Sequence, residues 1–367
     1  MISNDFLERI FRKQILALSA YSVADAKDLI KLDAMENPYH WPDTLIDEWL
    51  EHIRGAELNR YPDPNASKLV DTLRTVNKIP QHAAVLLGNG SDEIIQLLLM
   101  ALPVGSSVLT PEPGFVMYKQ ISVSLALNFQ SVPLLPDSFE LDLPAMLDAI
   151  AQHQPALIFL AYPNNPTANL FDLQAIEAII QAAPGLLIMD EAYAPFADAS
   201  FMDKLPDMPH LLVMRTVSKL GLAGLRLGFI AGDPAIIEQL NKIRLPYNIN
   251  ILTQMSADFA LSNNHIFEAQ TAQICTERSK VLEQINQLEG FIAYPSAANF
   301  ILLRTPTGIA DAILNALKQQ GVLIKNLASN KGLLTDCLRV TVGTPEENIS
   351  FIKALKIALN TCKSTPL

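Results

Sequence analysis

The chain has 367 residues, half of them hydrophobic, which is enough for about two domains with sizeable cores. Its 27 basic and 38 acidic residues give a net charge of −11, so neither a nucleic-acid groove nor a polybasic membrane surface is expected. Three widely spaced cysteines without a CxxC pair indicate neither a disulfide framework nor a zinc site. No apolar run approaches the ~18 residues of a membrane-spanning helix, and the N-terminus is a poor signal peptide. We therefore expect a globular, cytoplasmic protein.

Short apolar runs alternate with helical patterns over much of the chain. Helices are predicted at Asp92–Leu102 and Leu173–Ala182. Near-continuous apolar strands interleaved with helices predict an α/β fold with a mostly parallel sheet, covered on both faces by helices. The predicted strands of this sheet are Val85–Leu87, Ser107–Thr110, Ala156–Tyr162, Leu186–Met189, Leu211–Met214 and Leu225–Ala231.

The pattern changes near residue 250, and this change suggests the domain organisation. We expect an N-terminal arm over residues 1–45, which packs on the small domain or a partner subunit. Residues 46–250 form the predicted large domain, and residues 251–367 a smaller α+β domain. The predicted elements of the smaller domain are a helical stretch Ile251–Leu288, strands Phe300–Leu303, Val322–Ile324 and Leu338–Val342, and helices Ile309–Gln320 and Asn348–Asn360.

Polar residues follow the predicted strands of the large domain, where ligands bind in open α/β sheets. Lys219 lies in an apolar, glycine-rich segment over residues 216–228. Burial there would lower its pKa, as an amine needs in order to attack a carbonyl group and form a Schiff base. Ser218 and Arg226 flank it and suit an anion. A lone loop lysine is more often solvated, but the whole segment favours the catalytic interpretation.

Other residues at the strand ends suit a phosphorylated aromatic ring. Asp190 can keep a pyridine nitrogen protonated, although it can also simply cap a helix. The Asn165 amide can donate to a ring hydroxyl, or only close a turn. Phe115 can stack on a ring, although most phenylalanines belong to cores. The turn at residues 88–92 can cradle a phosphate through backbone N–H groups, and we assign this contact to the backbone because the carboxylate of Asp92 repels anions.

Together and in this order, these segments resemble the fold-type I pyridoxal-phosphate-dependent aminotransferases, and more narrowly the histidinol-phosphate aminotransferase family. The resemblance spans nearly the whole chain, from about Tyr21 to the last helix. Its segments are Leu32–Pro38, Arg60–Asp63, Gly88–Glu93, Pro111–Tyr118, Pro163–Thr167, Asp190–Tyr193, Ser218–Gly228 and Cys337–Thr344.

The resemblance implies roles for the residues around the cofactor ring. Lys219 would carry pyridoxal 5′-phosphate as a Schiff base, and Asp190 would pair with the pyridinium nitrogen. Tyr193 and Asn165 would bind the ring oxygen, and Phe115 would stack on the ring. Lys219, Asp190 and Tyr193 are the expected catalytic residues.

The resemblance also implies how the cofactor phosphate is held. Ser218, Arg226 and the backbone of Ser91 and Asp92 would contact it. Tyr61 of the partner subunit would complete the contact, so a homodimer is implied. The six histidines are scattered without ligand spacing, and no metal site is expected.

Arg339 would bind the anionic group of the substrate, with Tyr21 and Asn37 closing over the site. Lys325 stands where the family usually has a second substrate-binding arginine, so the charge is kept but the bidentate fork is lost. Ala168 stands where glycine is usual, which we expect to be tolerated if its φ stays negative.

The implied reaction converts L-histidinol phosphate and 2-oxoglutarate to imidazole acetol phosphate and L-glutamate, a step of histidine biosynthesis. Lys325 leaves open an aromatic amino acid aminotransferase, and threonine-phosphate decarboxylase is a more distant alternative on the same scaffold. A sensor module of a transcriptional regulator would need a DNA-binding domain before residue 45, for which the chain has no room. A binding protein without activity is disfavoured because Lys219, Asp190 and Arg226 are all present.

Overall fold

The computed structural model describes residues 2–20, 24–330 and 332–364, which form two β-sheets and their surrounding helices. The helices are α1 (Asn4–Ile10), α2 (Lys13–Ala17), α3 (Asp43–Ile53), α4 (Ser67–Val76), α5 (Ser91–Met100), α6 (Val116–Ser124), α7 (Leu143–His153), α8 (Leu173–Ala182), α9 (Pro234–Ile243), α10 (Ile251–Ser262), α11 (Asn264–Asn286), α12 (Ala310–Gln319) and α13 (Pro345–Ser364). The strands are β1 (Ile30–Leu32), β2 (Ala84–Gly88), β3 (Ser107–Glu112), β4 (Asn128–Pro133), β5 (Leu157–Ala161), β6 (Leu186–Asp190), β7 (Leu211–Thr216), β8 (Gly228–Gly232), β9 (Ile292–Ala293), β10 (Phe300–Arg304), β11 (Val322–Asn326) and β12 (Cys337–Thr341).

The large sheet has the strand order β2-β8-β7-β6-β5-β3-β4 among the described residues. Strand β8 is antiparallel to both of its neighbours, and the other pairs are parallel. The central strand β5 is buried throughout, and its side chains alternate between two apolar clusters. Ile158 and Leu160 enter one cluster, whereas Leu157 and Phe159 enter the other. The mostly parallel sheet with two covered faces, which the sequence predicts, is confirmed.

Two details of this sheet differ from the prediction. Strand β8 begins at Gly228, because residues 223–225 form a 3₁₀ turn and Arg226 adopts a left-handed conformation with φ of 50°. Strand β4 has no counterpart among the predicted strands. It pairs with β3 alone and buries only one of its six residues, so it lacks the continuous apolar run that marks the central strands.

The second sheet has the order β1-β11-β12-β10-β9 within the described part of the chain. Its strand pairs are antiparallel, except that β1 runs parallel to β11. An apolar cluster between this sheet and helices α11, α12 and α13 includes Phe300, Leu338 and Phe351. The predicted N-terminal arm therefore contributes a strand to the sheet of the C-terminal part.

The predicted helical stretch Ile251–Leu288 consists of two helices, α10 and α11, which meet at Asn263. The Asn263 side chain donates to the carbonyl of Phe259 at 3.0 Å and so closes the last turn of α10. Helix α10 packs against α3 and α4, which precede the large sheet. The division into arm, large domain and small domain stays a prediction. None of the described helices is long and apolar enough to cross a membrane.

Ala168 departs from the condition stated above, because its φ is +64° and not negative. The condition under which alanine was expected to be tolerated is therefore not met. A left-handed alanine costs roughly 1–2 kcal/mol relative to glycine in conformation. Two backbone hydrogen bonds hold it there: its N–H donates to Asn164 at 2.8 Å, and its carbonyl accepts from Ala297 at 2.7 Å. Its methyl group is fully buried in the apolar cluster of the second sheet, which offsets part of this cost.

Candidate active site

A cavity of about 250 Å³ opens at the carboxyl ends of β5, β6 and β7. Residues 34–36, which follow β1, form the opposite wall. The cavity therefore lies between the two sheets, at the edge where ligands bind in parallel sheets. The predicted site residues that line it are Ser91, Asp92, Phe115, Asn165, Asp190, Tyr193, Ser218, Lys219 and Arg226.

A larger cavity of about 460 Å³ lies elsewhere, between α4, β2 and α9. Its walls include Val70, Leu86 and Ile237. None of the predicted site residues lines this cavity in the residues that the structure describes. The candidate site is therefore the smaller cavity, because the reactive groups converge there.

Lys219 occupies a wide, π-type helical turn directly after β7. Its ammonium group lies 3.4 Å from the carbonyl oxygen of Ala34 and 5.8 Å from the centre of the Tyr193 ring. Removal from water and, to a smaller extent, the nearby positive charge of Arg339 lower the pKa of Lys219 to about 8. About a tenth of Lys219 is thus an uncharged amine at pH 7, the form that nucleophilic attack and proton transfer require.

Asp190 is the last residue of β6 and is 5% exposed. Its Oδ1 accepts from the backbone N–H of Ala192 at 3.0 Å, and its Oδ2 accepts from the hydroxyl of Tyr118 at 2.5 Å. Burial raises the pKa of Asp190 to about 6, although both hydrogen bonds oppose this rise. At neutral pH the group remains a carboxylate that faces the cavity.

Asn165, Tyr193 and Arg339 form a chain of hydrogen bonds beside Lys219. The Asn165 amide donates to the Tyr193 hydroxyl at 3.1 Å, and Arg339 donates to the Asn165 oxygen at 2.7 Å. Arg339 also donates to the backbone oxygen of Asp33 at 3.0 Å, and it is only 8% exposed. Arg339 does not line the cavity itself, and its link to the cavity runs through Asn165.

The opposite end of the cavity carries groups that can bind an anion. Helix α5 begins at Ser91, so the first backbone N–H groups of this ten-residue helix have no intrahelical partners. Gly90, with φ of +81°, lets the chain turn there, and a Cβ atom at this position would lie 2.7 Å from Arg226 Nη2. Arg226 Nη2 lies 3.6 Å from the Asp92 carboxylate, which is thereby partly neutralised. The Ser218 hydroxyl accepts from Thr216 at 2.9 Å.

Phe115 lines the cavity and meets Tyr118 edge-on, with ring centres 5.5 Å apart. Lys325 pairs with Arg339 across β11 and β12, so both side chains lie on the same face of the sheet. The Asn37 amide donates to the oxygens of Leu220 and Gln270, both at 3.0 Å, and does not line the cavity.

Tyr61 lies at the surface of the chain, away from this cavity. Tyr61 is 80% exposed and stacks on Tyr247, with ring centres 4.4 Å apart. It does not line the cavity of its own chain. Tyr21 lies outside the described residues. The predicted contributions of these residues to binding therefore stay predictions.

Sequence reasoning missed Tyr118 and Glu36. Tyr118 lies on the buried face of α6, and the need of a buried tyrosine hydroxyl for a partner is the signal that could have identified it. Glu36 lines the cavity and pairs with Lys31. Its carboxylate carried no sequence signal of its own, because its position depends on how the arm folds over the large sheet. In the described residues, no group of three or more histidine, cysteine, aspartate or glutamate side chains could hold a metal ion.

The fold and the residues of the cavity indicate an aminotransferase, and comparison with known families agrees. Residues 27–355 match the family of class I and II aminotransferases, and the chain belongs to this family.

Within it, the chain is 56% identical to histidinol-phosphate aminotransferase 2 of Nitrosococcus oceani over 97% of this chain and 99% of that one. It is 49% identical to histidinol-phosphate aminotransferase 1 of Ralstonia nicotianae over 97% and 96% of the two chains. The solved histidinol-phosphate aminotransferase of Sinorhizobium meliloti, in complex with pyridoxal 5′-phosphate, superposes with a TM-score of 0.85. This likeness covers 96% of this chain and 98% of that one at 22% identity, and so supports the fold.

Proposed function

We propose that this chain is a pyridoxal-phosphate-dependent histidinol-phosphate aminotransferase. It transfers the amino group of L-histidinol phosphate to 2-oxoglutarate and releases imidazole acetol phosphate and L-glutamate, a step of histidine biosynthesis. The observation that carries the proposal is that one cavity presents both the amine of Lys219, with a lowered pKa, and the buried carboxylate of Asp190. The identity of 49–56% to two histidinol-phosphate aminotransferases over nearly the whole chain supports the substrate.

The residues of the cavity fit pyridoxal phosphate. The tight approach of Arg226 to Gly90, together with the helix N-terminus at Ser91, suits a phosphate dianion. Asp190 suits the ring nitrogen, and the Asn165–Tyr193 pair suits a ring oxygen. When bound, pyridoxal phosphate supplies an aldehyde that takes up the substrate amine and a ring that withdraws electrons from the substrate Cα.

The groups of the chain then divide the proton transfers between them. Lys219, as a neutral amine, removes the proton from the substrate Cα and delivers it to the C4′ carbon of the cofactor. Asp190, as a carboxylate, holds a proton on the ring nitrogen through a charge-assisted hydrogen bond. The hydroxyl of Tyr193 and the amide of Asn165 fix the ring oxygen. The keto acid 2-oxoglutarate uses the same groups in the reverse direction.

Arg339 is the proposed anion-binding residue for both substrates. Its guanidinium group can bind a phosphate monoester or a carboxylate in the same planar arrangement. Lys325 lies beside it in the register of β11 and β12 and adds a second positive charge on that face. Because a lysine lacks the bidentate fork, Lys325 contributes charge more than orientation.

A spectral half-reaction tests the proposal. Purified holoenzyme is mixed with L-histidinol phosphate or with L-phenylalanine, and the loss of its visible absorbance is followed. We expect fast bleaching by histidinol phosphate at low concentration and much weaker bleaching by phenylalanine. Equal or better bleaching by phenylalanine would instead identify an aromatic amino acid aminotransferase and implicate Lys325. A protein that binds no pyridoxal phosphate would overturn the proposal as a whole.

A homodimer is part of the proposal. Tyr61 is almost fully exposed in the single chain and lies away from its own cavity, as expected of a residue that contacts the cofactor phosphate of a partner. The test mixes Tyr61→Ala subunits with Lys219→Ala subunits under conditions that allow exchange. We expect activity well above that of either variant, because each mixed dimer contains one intact site. No gain on mixing, with exchange verified by mass, would exclude a shared site.

We also propose a cytoplasmic location. Cys275, Cys337 and Cys362 are all free thiols in the structure, as is usual in a reducing compartment. Fractionation of cells that express the tagged protein tests this location, and recovery outside the cytoplasm would contradict it.

A further inference from the structure

Tyr118 is a buried tyrosine whose hydroxyl contacts Asp190 on the side away from solvent. The two residues are 1% and 5% exposed, and the hydroxyl donates to Oδ2 at 2.5 Å. We propose that Tyr118 is a positioning residue, which holds Asp190 in the ionised form and orientation that a protonated ring nitrogen requires. This inference rests on the proposed function, since it concerns the same cofactor.

The ring of Tyr118 is fixed by its neighbours. It stacks on Phe159, with ring centres 4.3 Å apart and planes only 3° from parallel. Phe115, which lines the cavity, contacts it edge-on at 5.5 Å. Phe159 belongs to the fully buried strand β5, so the stacking surface is part of the sheet itself. The phenol therefore has little freedom to turn away, and its hydroxyl is aimed at Oδ2 by packing.

The carboxylate of Asp190 is held at both oxygens, by the hydroxyl at Oδ2 and by the Ala192 backbone N–H at Oδ1. A carboxylate has about four lone-pair sites, so two such bonds leave capacity for a donor in the cavity. Both donors are neutral. The salt bridges of the described residues include none to Asp190. Asp190 is therefore oriented and stabilised as an anion without having its charge cancelled, which leaves that charge available to a ligand.

The groups around Asp190 show why the hydroxyl of Tyr118 matters. Burial and the carboxylates of Asp92 and Glu191 raise the pKa of Asp190, whereas the hydroxyl of Tyr118 lowers it. Burial also raises the pKa of Tyr118 well above its usual value, so the phenol stays a donor over the working pH range. Loss of the hydroxyl would leave a more weakly acidic and less well oriented carboxyl group.

The test compares two cofactors in the apo form of the Tyr118→Phe variant. One is pyridoxal phosphate, and the other is its 1-deaza analogue, in which C–H replaces the ring nitrogen and carries no proton for Asp190 to hold. Dissociation constants are measured by absorbance titration. We expect the variant to bind pyridoxal phosphate roughly tenfold more weakly than wild type, as for loss of one hydrogen bond to a charged group. Its affinity for the deaza analogue should match that of wild type.

Tyr162→Phe is the matched control. Tyr162 is also a buried tyrosine next to the site, but its ring meets Phe201 edge-on at 5.4 Å. This variant should bind both cofactors as wild type does. An equal loss of affinity for both cofactors in Tyr118→Phe would assign Tyr118 a purely structural role. No loss of affinity for either cofactor would show that Asp190 does not depend on Tyr118. Failure of wild type itself to bind pyridoxal phosphate would instead refute the proposed function.

Discussion

Two neighbouring carboxylates, Asp190 and Glu191, leave the end of β6 in opposite directions and have opposite surroundings. Glu191 is fully buried, and two nitrogens of Arg215 donate to its Oε2 at 2.9 and 2.7 Å. The Ser200 hydroxyl donates to the same oxygen at 2.9 Å, and the backbone N–H of Phe201 donates to Oε1. Asp190 has only neutral donors in the described structure. On one side of the sheet the charge of Glu191 is thus balanced by Arg215, whereas on the other side the charge of Asp190 has no oppositely charged partner among the described residues.

The difference separates what maintains the fold from what serves the site. The Glu191–Arg215 pair ties the segment after β6 to β7, because its hydrogen bonds reach residues 200 and 201. Burial instead shifts the pKa values of Asp190 and Lys219 toward neutral pH, which is typical of groups that act on a ligand. Strand geometry makes this division possible, because successive residues point to opposite faces.

The largest expected effect is on catalysis in the cavity. Lys219→Ala should lower the turnover number by at least about 10³-fold, because both the nucleophilic amine and the proton carrier are lost. It should still bind the cofactor and fold normally. Steady-state and single-turnover rates are to be compared with those of Lys242→Ala, an exposed lysine of α9 that serves as control. Substantial residual transamination would refute the role of Lys219.

The next largest effect is on the stability of the fold. Glu191→Ala should lower the free energy of unfolding by about 3–5 kcal/mol, because it removes a fully buried carboxylate with its hydrogen bonds and leaves the partly buried Arg215 without its anion. Asp190→Ala should change it by less than about 1 kcal/mol, because the lost hydrogen bond from Tyr118 is offset by the removal of a buried carboxylate whose pKa is raised. Urea unfolding of the two apo variants at pH 7 measures both. Equal destabilisation by the two changes would remove the distinction between these carboxylates.

Arg339→Lys should raise KM for both the amino donor and the acceptor, by roughly 10- to 150-fold, because the planar fork is lost at a buried position. Arg304→Lys is the control, since Arg304 lies in the same sheet but pairs with Asp137 near the surface. An increase for only one of the two substrates would mean that their anions do not share Arg339.

The smallest effect is a pH-dependent gain in stability. Folding lowers the pKa of Lys219 from 10.5 to about 8, so the unfolded chain binds this proton more tightly. The resulting destabilisation is complete below pH 8 and disappears as the pH rises toward 10.5. Apo Lys219→Met should therefore be about 2–3 kcal/mol more stable than apo wild type at pH 7, and less than about 1 kcal/mol more stable at pH 10. Urea unfolding at the two pH values measures this, and a difference independent of pH would show that the charge is not responsible.

The central strands and the reactive residues follow from the sequence alone. Strands such as β5 and β6 are continuous apolar runs, and the helix Leu173–Ala182 has the bounds that the pattern predicts. Lys219 and Asp190 were found because each directly follows such a run, which places it at the carboxyl end of the sheet. Local pattern sufficed for these features because strand direction and burial follow from it.

Other features were decided by partners distant in the chain. Strand β1 is only three residues long, and it becomes a strand by pairing with β11, some 290 residues later. Tyr118 meets Asp190 across 72 residues, and Lys325 lies beside Arg339 only through the register of two strands. The left-handed Ala168 is likewise held by a bond from Ala297. A sequence specifies such contacts only through the complete packing, because the energy that selects them comes from groups that the local pattern does not contain.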